Sequence, residues 1–115
     1  MHRFLLVVAL LTLPIAVAGC SSKPPATCES PTATTTVEIQ NSTFAPGCIT
    51  TTSGQTLTLH NADDTPHTFT VKGTGVDVKI DSGQTASAAL TGVAAGTYTV
   101  TCLYHPEMTE SLQVT

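Results

Sequence analysis

Three side chains near the carboxyl end, Cys102, His105 and Met108, follow one another at intervals of three residues in the stretch Y-T-V-T-C-L-Y-H-P-E-M, Tyr98 to Met108. A thiol, an imidazole and a thioether are soft or borderline donors. They suit copper better than calcium, magnesium or manganese, which take oxygen ligands. A second imidazole, His67, lies far upstream at the start of another apolar alternation. Together the four define a candidate site for one copper ion able to hold both Cu(I) and Cu(II). His60 falls on the opposite parity to Leu57 and Leu59 and reads as a surface side chain. Asp63 and Asp64, in the turn N-A-D-D-T-P, read as solvated turn residues, with a calcium site as the alternative.

The elements that must position these donors all alternate with the period of a strand. Val37 and Ile39 share one side of 35–40. A Thr-rich strand covers 48–52, and Leu57 and Leu59 share a side of 56–61. His67 has the parity of Phe69 and Val71, which aims its ring at one end of the core. Val76, Val78 and Ile80 alternate next, and 85–90 is a weakly apolar edge segment. In 97–102 the residues Tyr98, Val100 and Cys102 share a face, so the thiol continues a buried row. Leu112 and Val114 close the sheet system. With Gly, Pro and Asp turns between them and no sustained helical period, about seven short strands predict an all-β protein, an antiparallel Greek-key β-sandwich.

The 115 residues are enough for one domain. A basic start at Met1–Arg3, an apolar run from Phe4 to Val17 and the small residues Ala18 and Gly19 make residues 1–19 a secretory signal too short to span a membrane. Val17-Ala18-Gly19-Cys20 resembles the bacterial lipobox, which implies that Cys20 carries lipid and fixes the chain to the outer face of a membrane in the cell envelope. Residues 20–34, rich in Ser, Thr and Pro, read as a tether without compact structure, and 35–115 as the folded domain. Beyond the signal, lysines 23, 72 and 79 stand against eight carboxylates. That acidic balance excludes nucleic acid and leaves neutral or basic protein partners.

Exported cysteines tend to pair. If Cys20 is lipidated, Cys28, Cys48 and Cys102 make an odd count, and the one with metal-ligand neighbours is Cys102. Cys28 and Cys48 would then form a disulfide closing a loop of about twenty residues, worth roughly 3 kcal/mol in the entropy model. Pairing of Cys102 with one of them, and no metal site, is the alternative.

Residue for residue, G-T-Y-T-V-T-C-L-Y-H-P-E-M and the upstream L-T-L-H-N-A-D-D-T-P-H-T-F resemble the cupredoxins, the type 1 blue copper proteins. The two-residue gaps on either side of His105 are similar to the short ligand loop of the amicyanins. The resemblance spans residues 35–115. It implies a cupredoxin-like sandwich with His67, Cys102, His105 and Met108 as copper ligands, Pro66 beside the metal through its carbonyl, and His105 as the exit for electrons, ringed by Leu103, Tyr104 and Pro106. Where many relatives have Asn after the first ligand His, this chain has Thr68, a shorter brace for the ligand loop. Where many have Gly two residues beyond the axial Met, it has Glu110. The implied function is a monomeric, membrane-tethered carrier of single electrons between redox proteins and not an enzyme. Copper acquisition, buffering or delivery is the alternative. A structural domain using the same Cys and His residues to hold zinc is a third reading.

Overall fold

The computed structural model describes residues 28–115. The expected signal, the lipidated Cys20 and most of the expected tether lie outside the described residues. Ten strands succeed one another: β1 (Thr32–Ala33), β2 (Thr36–Gln40), β3 (Thr43–Ala45), β4 (Cys48–Thr51), β5 (Thr56–Asn61), β6 (His67–Val71), β7 (Asp77–Ile80), β8 (Thr85–Ala89), β9 (Gly96–Cys102) and β10 (His105–Val114). The described residues contain no helix.

The strands form a six-stranded sheet in the order β1-β4-β10-β9-β6-β7 and a four-stranded sheet in the order β3-β2-β5-β8. Val37 and Ile39 of β2, Leu57 and Leu59 of β5, Phe69 and Val71 of β6, Val100 and Cys102 of β9 and Leu112 and Val114 of β10 are all buried. Each pair sits two residues apart because side chains of a strand alternate between faces. Phe44 of the smaller sheet meets Phe69 of the larger one edge to face, with ring centroids 5.9 Å apart, so the aromatic pair packs the two layers against each other.

The all-β, two-layered expectation is met, with a difference in strand direction. Three pairings, β1 with β4, β4 with β10 and β2 with β5, are parallel, so both sheets are mixed. Residues 32–33, expected to belong to the tether, instead add β1 to the sheet edge. The Cys28–Cys48 disulfide, with Cα atoms 5.7 Å apart, holds the preceding chain beside the start of β4 and makes that pairing local. The last strand also begins earlier than Leu112. It starts at His105, opposite Cys102, and shifts register before Thr109, which shortens the intervening turn to Leu103 and Tyr104.

Candidate metal centre

Three strand ends converge at one pole of the sandwich: His67 opens β6, Cys102 closes β9 and His105 opens β10. Because β6, β9 and β10 are neighbours in one sheet, these donors meet across adjacent strands. Nδ1 of His67 and Nδ1 of His105 each lie 3.7 Å from Sγ of Cys102, and the three donor atoms are all within 4.8 Å of one another. With zinc's bond lengths of about 2.3 Å to sulfur and 2.0–2.1 Å to nitrogen as the yardstick for a first-row ion, two ligands at a trigonal angle stand about 3.7 Å apart. The spacing therefore fits a single shared ion. His67 and Cys102 are fully buried, and His105 is the half-buried member of the three.

His67 is held in the form a metal needs. Asp63 Oδ2 lies 2.8 Å from His67 Nε2. A carboxylate can only accept, so Nε2 carries the proton and the free lone pair is on Nδ1, facing Cys102. Asp63 is held in turn. The main-chain N–H groups of Asn41 and Ser42 donate to its two oxygens at 2.7 and 2.8 Å, and both residues have positive φ, 53° and 52°, as the two-residue turn between β2 and β3 requires. The Ser42 N–H, with His67 and the Asn41 N–H, holds the Asp63 carboxyl below the usual carboxylate range against a smaller effect of burial. The Asn61 side chain fixes the same loop. Its Nδ2 donates to the carbonyls of Thr65, Ile80 and Asp81, and its Oδ1 accepts the N–H of Asp63.

The thiol has a contact of its own. The N–H of Thr68 points at Cys102 Sγ from 3.3 Å, which ties the sulfur to the start of β6. Thr68 also reaches the ligand loop with its side chain, whose Oγ1 accepts the N–H of Leu103 at 2.8 Å. The shorter residue is therefore an effective brace. Cys28 and Cys48 are bonded to each other, and Cys102 is the free cysteine among the described residues, which removes the alternative pairing.

Met108 is buried, with 4% of its surface exposed, on the strand that His105 opens. His60 stands apart from the cluster, as expected, with Nδ1 2.8 Å from Glu38 Oε1 on the half-exposed outer face of the smaller sheet. Asp63, expected as a solvated turn residue, is instead a hydrogen-bond partner of His67 with little of its side chain exposed. Its spacing of four from His67 was the available signal. The turn that completes its role lies more than twenty residues upstream.

This chain matches the family model of the cupredoxin-like domain over residues 6–112, and it belongs to that family. Among solved structures it is similar to those of amicyanin variants. One in the reduced state is 25% identical, covering 70% of this chain and 80% of that one with a TM-score of 0.58. Another, described as a Cu(I) form, is 25% identical, covering 76% and 88% with a TM-score of 0.59. A search of curated proteins finds no match. The two-imidazole, one-thiolate set with a buried thioether on the same strand fits one copper ion per chain.

Proposed function

We propose that the protein is a membrane-tethered, mononuclear type 1 copper protein that carries single electrons between redox proteins of the cell envelope. His67, Cys102 and His105 would hold the ion, and the buried thioether of Met108 would be a weaker fourth ligand. The observation that carries this reading is the convergence of three matched donors at one pole of a cupredoxin-like sandwich. Copper bound there supplies a one-electron Cu(I)/Cu(II) couple. The residues of the chain do the rest. Asp63 and Thr68 keep His67 and the Cys102 loop in place, which limits rearrangement between redox states, while the burial of His67 and Cys102 keeps water from the thiolate side.

Half-buried His105 is the surface outlet. Leu103 and Tyr104, 55% and 51% exposed, flank it as an apolar platform suited to brief docking. Two buried donors and a single outlet suit a carrier and not an enzyme. Residues 1–19 are read as a signal, Cys20 as the lipidated first residue of a monomeric mature protein and 20–34 as the lead into the domain, with β1 already part of the sheet. Voltammetry tests the carrier reading. The copper-loaded protein should cycle reversibly by one electron with no metal passing to a Cu(I) chelator, and loss of copper on each reduction would point instead to delivery.

A further inference from the structure

Between the ligand loop and solvent runs a line of hydroxyl groups that metal binding alone does not explain. Thr70 Oγ1 donates to Asp77 Oδ1 at 2.9 Å. A threonine has one hydroxyl proton, so in the 3.0 Å contact between the hydroxyls of Thr68 and Thr70 the donor is Thr68. Thr68 Oγ1 then accepts the Leu103 N–H at 2.8 Å. Every hydrogen bond in the line points the same way, from the Leu103 amide through Thr68 and Thr70 to the Asp77 carboxylate.

The sheet makes this geometry. Thr68 and Thr70 share one face of β6, Asp77 of β7 is the cross-strand partner of Thr70, and β6 lies between β7 and β9. The line runs outward through buried Thr68, whose own N–H faces Cys102 Sγ, to the exposed carboxylate of Asp77. Lys79, further along β7, is paired with Asp81. Hydrogen bonds in such a chain strengthen one another, and a charged terminal acceptor polarises the whole.

We propose that Asp77 and Thr70 are positioning residues for the metal centre, acting through Thr68 to fix the Leu103 amide and with it the loop between Cys102 and His105. The functional part of this inference rests on the copper reading, and the brace itself does not. Thr70→Val removes the middle hydroxyl at a half-buried position at nearly constant shape. Thr70→Ser restores it, and Asp77→Ala removes the final acceptor.

In the copper-free protein, hydrogen exchange at the Leu103 amide, read by NMR, should accelerate roughly two- to tenfold in Thr70→Val and in Asp77→Ala. Thr70→Ser should match the wild type. In the copper-loaded protein the same two variants should shift the copper hyperfine splitting in electron paramagnetic resonance, with Thr70→Ser unchanged. If Leu103 exchange and the hyperfine splitting respond only to Thr68→Val, the brace ends at Thr68 and the proposal is overturned. A wild-type protein that gives no thiolate-to-copper band would defeat the copper reading, while the Leu103 exchange series would still decide the brace.

Discussion

Asp63 Oδ2 stands 2.8 Å from His67 Nε2, and this contact decides which nitrogen of a fully buried imidazole faces Cys102. The same carboxylate receives both amides of the left-handed turn at Asn41 and Ser42. The orientation of one metal donor is thus fixed by a hairpin at the end of the other sheet.

Replacing Asp63 with Ala should therefore weaken copper binding about 10- to 100-fold, the usual cost of losing the group that orients a ligand histidine. Asp63→Asn keeps an oxygen acceptor and should lose less. Competition against a chromogenic Cu(I) chelator measures both, and affinities within twofold of the wild type would show that packing alone orients His67.

Glu110 gives a pH dependence. It shares the inward parity of Met108, Leu112 and Val114 on β10, is 3% exposed, and neither carboxyl oxygen has a partner. Burial pushes its pKa from 4.5 up to about 8. The folded state therefore keeps a proton that the unfolded chain releases above its own, lower pKa. The contribution to stability is complete below pH 4.5 and is lost as pH rises through about 8. In the copper-free protein the melting temperature should fall by about 10 °C or more across that window, and Glu110→Gln should flatten the profile. Parallel profiles for the two proteins would count against a neutral buried carboxyl.

Much of this centre was legible in the order of residues. The parity of Tyr98, Val100 and Cys102 aimed the thiol inward, and His67 shared the parity of Phe69 and Val71, because a two-residue period maps directly onto a face. With Cys20 set aside as the expected lipid site, three cysteines remained, and Cys102 was the one with metal-ligand neighbours. Strand direction was not legible, since alternation reads the same whether β4 and β10 run parallel or antiparallel, and the two-residue β1 is too short to show a period. Asp63 and the pair Thr70 and Asp77 were missed for a different reason. The spacing of four between Asp63 and His67 was the one local mark; the turn that completes the role of Asp63 is distant in sequence, and Thr70 and Asp77 are brought together by cross-strand register, which a Thr-rich chain does not mark.

The disulfide should contribute chiefly through the unfolded chain. Its cysteines are 20 residues apart, a loop worth about 3 kcal/mol in the entropy model. The double variant Cys28→Ser, Cys48→Ser should unfold at a urea midpoint lower by about 2 M, with its capacity for copper intact. An unchanged midpoint would mean that the amino-terminal segment adds nothing to the stability of the domain.

The proposed attachment to the membrane rests on Cys20. Cys20→Ser expressed in cells should move the protein from the membrane fraction to the soluble envelope fraction, since no other acyl-bearing residue is proposed. Retention with the membrane would require a different anchor.

The central claim is that Cys102, flanked by His67 and His105, binds copper as a thiolate. Adding Cu(II) to the domain and recording the visible spectrum tests it most directly. The spectrum should show an intense thiolate-to-copper band that is absent in Cys102→Ser; a colourless wild-type product, or a band that survives that substitution, would rule out a copper thiolate at Cys102.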